Sequence, residues 1–224
     1  IPYIGRVAIT PDTVKKYKTL GLDVCLKKSY ASHLGISDDQ YAKEGASFLE
    51  TNQEIISKSD AILQLNILKD EDLNKLKQNQ ILVGVLNPYV NEKKIKEISS
   101  KNIKCFSLEL LPRITRAQSM DILSSQANLA GYKAVVDSFA YYQKAIPMMM
   151  TAAGTISAAK VLVVGAGVAG LQAIATAKRM GAIVFATDVR LASKEQVESL
   201  GGKFLTVEGS ENMETEGGYA KEAS

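Results

Sequence analysis

The sequence predicts an α/β protein built from two doubly wound parallel sheets joined by a long helix. Three observations carry that expectation. Short apolar runs alternate with helical stretches from the N-terminus to Leu111. A stretch from about Arg116 to Gln143 contains no proline and only Gly131 as a glycine. The run Lys160-Val161-Leu162-Val163-Val164 then leads through a glycine-rich turn into a further helix and strand. Strands that alternate with helices favour parallel pairing, because each crossover helix returns the chain to the same end of the sheet.

The elements follow in order. Thr10 can cap a helix that opens on Pro11, since proline's fixed φ suits the first helical position, and Gly21 stops it. Val24-Cys25-Leu26 reads as a strand. Asp38 to Lys43 begins a helix that ends at Gly45. Ala61 to Leu65 and Ile81 to Leu86 are strands, Glu92 to Ser99 a helix, and Ile103 to Leu108 another strand. Cys25 and Cys105 each sit in an apolar run and read as buried strand thiols, not as a disulfide or a metal pair. Pro112 ends this pattern. Met148-Met149-Met150 reads as a packed connector and Ala152-Ala153-Gly154 as a turn.

The second half names a ligand class. Gly165-Ala166-Gly167-Val168-Ala169-Gly170 follows a strand and precedes a helix over Leu171 to Met180. Gly165 permits the tight turn, Gly167 lets a pyrophosphate approach the backbone, and Gly170 lets the helix pack close to the sheet. Free amides at the helix N-terminus favour negative charge there. The strand Ala182 to Thr187 ends in Asp188, about twenty residues after the glycines, where a carboxylate accepts from a ribose diol and repels a 2′-phosphate. This favours NAD over NADP, and Arg190 weakens the preference slightly. A third strand spans Lys203 to Val207, and Glu208 to Gly218 reads as a loop. The expected organisation is a flavodoxin-like α/β domain over 1–115, a linking helix over 116–145 and a Rossmann-like NAD-binding domain over 146–224. The last lacks its C-terminal strands, so the chain reads as a fragment whose N-terminus, Ile1, is processed, trimmed or incomplete.

Bulk composition excludes several classes. The 224 residues are 46% hydrophobic and 23% charged, with a net charge of +3, which suits a globular domain pair. The clusters Lys15-Lys16-Tyr17-Lys18 and Lys93-Lys94-Ile95-Lys96 alternate with acids and read as solvated helix faces, so no nucleic-acid partner is expected. No segment reads as a membrane span or a signal peptide.

The segment from Leu111 to Tyr132, LPRITRAQSMDILSSQANLAGY, resembles the signature shared by alanine dehydrogenases and proton-translocating nicotinamide nucleotide transhydrogenases. Arg6 to Pro11 resembles the start of the same superfamily, and Gly217 to Lys221 resembles the transhydrogenase mobile loop. The Pro-Arg-Ile-Thr-Arg-Ala-Gln-Ser-Met-Asp wording is similar to the NAD(H)-binding domain, domain I of the alpha subunit. The resemblance implies Re/Si-specific hydride transfer from NADH to NADP+ bound on a partner domain, coupled to proton movement. It implies an NADP(H)-binding domain and a membrane proton-channel domain as partners, a homodimer, and a position peripheral to an energy-coupling membrane, bacterial or mitochondrial.

The same resemblance implies roles for single residues. Arg113 would hold the nicotinamide carboxamide, Asp121 would pair with that arginine, and Ser124 would contact the carboxamide. Gln118 would reach toward the second nucleotide. Val168 would pack at the pyrophosphate turn beside Gly165, Gly167 and Gly170. Asp188, Val189 and Arg190 would line the adenosine ribose and adenine, and Gly218 and Tyr219 would close over the nucleotide. By spacing alone, Asp121, Ser124 and Asn128 share one helical face, a pattern that an ordinary polar helix face with an Arg113–Asp121 ion pair also satisfies. One departure is the short lead Ile1 to Gly5, where family members carry a longer segment.

Two other functions fit parts of the pattern. An alanine dehydrogenase needs a protonatable group beside its substrate. The one histidine is His33, far from the site motifs, and none stands near Leu86-Asn87-Pro88-Tyr89. A non-catalytic NAD sensor would need only the glycine turn and Asp188. The conjunction of Arg113, Gln118, Asp121 and Tyr219 favours hydride chemistry.

Overall fold

The structure is a computed structural model that describes residues 5–112 and 114–206. The chain divides into two compact units between Asp121 and Ile122. Each is described by itself.

In the first unit the strands are β1 (Cys25–Lys27), β2 (Ser47–Leu49), β3 (Ala61–Asn66), β4 (Ile81–Val85) and β5 (Lys104–Ser107). The helices are α1 (Pro11–Thr19), α2 (Asp38–Lys43), α3 (Asn52–Lys58), α4 (Asp70–Leu73) and α5 (Glu92–Ser100). All strand pairings are parallel, β1 with β2 in one ladder and β3-β4-β5 in another. Local chemistry sets the ends. The Thr10 hydroxyl accepts from the Thr13 amide at 3.3 Å, and Gly21 takes φ +76°. At α3, Glu54 accepts from the Thr51 amide at 3.0 Å while Thr51 accepts from the Glu54 amide at 3.2 Å, so two otherwise orphaned donors are satisfied reciprocally.

Two apolar clusters fill this unit. One gathers Ile56, Ile62, Leu82, Leu86, Ile98 and Ile103 around the β3-β4-β5 sheet. The other holds Val14, Val24, Leu26 and Tyr41, with Leu63 of β3 packed against it. Tyr41 is fully buried and its hydroxyl donates to the Ile9 carbonyl at 2.9 Å, which makes burial of the phenol tolerable. Burial pushes the Tyr41 phenol above its usual range. Cys25 and Cys105 are free and lie on strands as expected, but half-buried, because β1 and β5 are edge strands of their ladders. Burial pushes the Cys105 thiol up.

The helix expected from 116 begins later. Thr115–Met120 is a short 3-10 segment, and α6 spans Ile122–Tyr141. Asp121 between them is extended, with ψ 90°, which breaks the helical path before Ile122. Asp121 therefore does not share a helical face with Ser124 and Asn128, although the latter two lie on α6.

The second unit holds α6, a hairpin of β6 (Met149–Thr151) and β7 (Gly154–Ile156), then β8 (Lys160–Val164), α7 (Val168–Arg179), β9 (Ile183–Thr187), α8 (Ser193–Ser199) and β10 (Lys203–Phe204). The sheet order is β10-β9-β8, all parallel, with α7 and α8 as the crossovers between successive strands. Its core joins Val135 and Phe139 of α6 to Ala173, Ile174 and Ala177 of α7 and to Val184 and Ala186 of β9. The methionine run is not a packed connector. Met148, Met149 and Met150 are exposed, since among the described residues β6 and β7 pair only with each other, and Gly154 at φ +135° closes the turn. Among the described residues no helix is long and apolar enough to cross a membrane.

Candidate functional site

The glycine turn occupies the end of β8. The Gly165 amide donates to the Thr187 carbonyl at 2.8 Å, which carries the β8–β9 ladder one residue past the strand. Gly165 then takes φ +94°, a conformation costly for any side chain, and the chain turns into α7. Gly167 is the extended residue before the helix, and the first intrahelical bond runs from the Leu171 amide to the Gly167 carbonyl at 2.8 Å. The amides of the first turn therefore have no partner within the helix. Among the described residues, a Cβ on Gly167 would meet nothing within 4 Å, so they leave the space in front of this turn open. A Cβ on Gly170 would fall inside the Gly165 carbonyl, 2.9 Å from its carbon, so only glycine lets α7 seat this close to the strand. Val168 is exposed at the first helical position. A pyrophosphate fits this cradle: open space, unpartnered amides and the positive end of a twelve-residue helix converge on one side.

Asp188 stands just past β9. Its Oδ2 accepts from the Ala166 amide at 2.6 Å, which ties the acid to the middle of the glycine turn. Arg190 covers the remaining acceptors. Its amide and Nε donate to Oδ1 at 2.8 and 2.9 Å, and Nη2 donates to Oδ2 at 3.0 Å. The Asp188 side chain is only 6% exposed, that of Arg190 21%. The guanidinium of Arg190, helped by the amides of Arg190 and Ala166, holds the Asp188 carboxyl far below the usual carboxylate range despite burial. Asp188 is thus an anion at neutral pH that braces the turn, and the ribose acceptor expected from the sequence is engaged by donors of its own chain. Sequence reasoning misses the Ala166 amide and the Asp188–Arg190 pairing, although the Asp-x-Arg spacing is a readable signal for the latter. Val189 between them is exposed.

Other predicted site residues lie elsewhere along the chain. Gln118 is exposed on the 3-10 segment, and its carbonyl accepts from the Asp121 amide at 3.2 Å. Asp121 is half-buried, as is Ser124 in the first turn of α6. Arg113, Gly218 and Tyr219 lie outside the described residues, and with them the proposed Arg113–Asp121 pair. The glycine turn, Asp188, Val189 and Arg190 are brought together in the second unit. His33 is exposed in a 3-10 turn over Ser32–Leu34, with Nε2 3.4 Å from the Arg6 carbonyl. Among the described residues no group of His, Cys, Asp and Glu could hold a metal ion.

Known proteins resemble this chain over nearly all of it. An NAD(P) transhydrogenase subunit alpha protein of Rickettsia prowazekii is 50% identical over 223 residues, which cover 98% of this chain and 58% of that protein. A crystal structure of transhydrogenase from Sinorhizobium meliloti superposes with a TM-score of 0.87 at 49% identity, covering 91% of this chain and 58% of the other. Alanine dehydrogenase of Methanococcus maripaludis is 25% identical over 205 residues, which cover 90% of this chain and 54% of that protein. The chain thus spans a little under three-fifths of the length of the transhydrogenase relatives it matches. The family models for the N-terminal and C-terminal domains of alanine dehydrogenase/PNT match residues 5–130 and 134–223. With both domain models matched in order, the chain belongs to the alanine dehydrogenase/PNT family.

Proposed function

We propose that this chain is the NAD(H)-binding component of a proton-translocating transhydrogenase. The observation that carries the reading is the glycine turn at the N-terminus of α7, with Asp188 in register at the end of β9. Resemblance to the transhydrogenase subunit at twice the identity of the alanine dehydrogenase supports this branch of the family.

The residues divide the work. The first-turn amides of α7, opened by Gly165 and Gly167, hold the pyrophosphate. Asp188, fixed by Ala166 and Arg190, sets the shape of the adenosine end, and Val168 and Val189 offer exposed apolar walls. A ribose diol meets Asp188 once Arg190 shares or releases an acceptor. Arg113 and Ser124 hold the carboxamide, Asp121 pairs with that arginine, and Gln118, exposed, reaches the second nucleotide. Gly218 and Tyr219 close over the bound nucleotide. When bound, NADH supplies the hydride, and the task of the chain is to position its donor carbon. NADP(H) sits on a partner domain, and a membrane proton-channel domain completes the complex, so this chain works beside an energy-coupling membrane. A homodimer follows the same reading. The exposed methionines of the hairpin, with Ile156 and Tyr132, supply apolar area for an interface.

The test supplies a partner NADP-binding domain, NADH and an NADP+ analogue, and follows hydride transfer optically. Pyruvate with ammonia runs in parallel. Transfer to the analogue alone supports the proposal. Oxidation of NADH by pyruvate and ammonia would replace it with an amino-acid dehydrogenase, and NADH binding without either reaction would leave a nucleotide sensor.

A further inference from the structure

Gly131 lies buried in the middle of α6, where a glycine weakens a helix for no local benefit. The reason is on the neighbouring helix. A Cβ built on Gly131 would penetrate the carbonyl oxygen of Ala169 and lie 2.8 Å from its carbon and 3.0 Å from its Cα. These are backbone atoms of the first turn of α7, so no side chain can swing away to make room. Ala169 is itself next to Gly170, whose own missing Cβ lets the turn press on Gly165. The turn is therefore held by two direct backbone approaches, one within it to Gly165 just past β8 and one to α6. Along α6, Ser124 stands seven residues before Gly131, two turns on the same face, about 10 Å up the axis. Val135 continues that face into the core.

We propose that Gly131 is a positioning residue for nucleotide binding. It locks α6 onto the first turn of α7, so that the helix bearing Ser124 and the turn bearing the pyrophosphate amides move as one body. Through it, the nicotinamide end and the pyrophosphate of one ligand meet a frame of constant spacing. The inference rests on the nucleotide reading above.

The test compares NADH with ADP-ribose, which has the pyrophosphate and adenosine but no nicotinamide. In the wild-type protein NADH should bind more tightly than ADP-ribose. In Gly131→Ala, α6 is pushed off the turn, and that advantage should shrink about tenfold. Leu82→Ala opens a cavity in the core of the first unit, away from α6 and α7, and should leave the ratio of the two affinities unchanged. An unchanged ratio in folded Gly131→Ala would overturn the proposal and leave Gly131 a packing residue. Hydrogen exchange on the wild-type protein tests the same idea without a variant, and decides it should Gly131→Ala fail to fold. ADP-ribose should slow exchange at residues 124–131 together with the first turn of α7, although it lacks the carboxamide assigned to Ser124. Slowing confined to α7 would overturn the proposal. Wild-type protein that binds neither nucleotide would sink the nucleotide reading itself, and this inference with it.

Discussion

Asp188 and Arg190, two residues apart, form a two-pronged ion pair: Nε to Oδ1 at 2.9 Å and Nη2 to Oδ2 at 3.0 Å. The same carboxylate accepts from the Ala166 amide, so one buried anion joins the end of β9, the arginine and the glycine turn. Charge-assisted bonds of this kind are shorter and stronger than neutral ones, and they lose little to solvent when the acid is covered.

Removal of that anion should cost stability in a pH-dependent way. An unfolded aspartate titrates near about 3.9, and the folded Asp188 lies below that because Arg190 and two amides stabilise its charge. Its contribution is therefore complete above the unfolded value and is lost as pH falls toward the lowered folded value. Asp188→Asn should lower unfolding free energy by about 1.5–3 kcal/mol at pH 7. The gap to wild type should narrow below about pH 4. Urea titrations from pH 7 to pH 2 measure it, and a gap constant across that range would mean the charge is irrelevant.

Arg190→Gln should raise the Asp188 pKa, since the largest cause of the depression is gone while the Ala166 amide stays. Carboxyl carbon NMR of the variant reads this directly. A titration as low as in the wild-type protein would assign the depression to the backbone amides instead.

Gln118→Asn shortens an exposed side chain by one methylene without disturbing a core. Hydride transfer to the NADP+ analogue should slow about ten- to hundredfold, the scale of a misplacement near 1 Å, while NADH affinity stays within about twofold. Equal losses in rate and affinity would show that Gln118 serves binding and not the approach of the second nucleotide.

Gly84→Ala tests the sheet of the first unit. A Cβ there would sit 2.5 Å from the Gln64 carbonyl oxygen, between β3 and β4 and next to fully buried Leu82. The expected loss is about 1–3 kcal/mol in urea unfolding. A loss under about 0.5 kcal/mol would show that β3 can yield without strain.

Much of the fold is legible in the residues. The strand–helix alternation, the Thr10-Pro11 helix start and the glycine turn with its acid depend on local chemistry: caps, turns and the two periodicities of apolar residues. The second crossover helix, α8, is not, because Ser193–Ser199 is a short polar stretch with only Val197 and Ser193 buried. The β1–β2 ladder, three residues a strand, offers equally little periodicity to read.

By itself the sequence determined that a tight glycine turn from strand to helix must form at residues 165–170, since the steric demands on those glycines are local. It also determined the family, through wording that spans both domains. Only the tertiary structure decided what Asp188 does with its acceptor positions, because Ala166 lies 22 residues away and its amide reaches the acid only across two paired strands. It also decided why Gly131 is a glycine. That requirement comes from the Ala169 backbone, 38 positions on, and close approach between distant segments leaves no mark on local propensity.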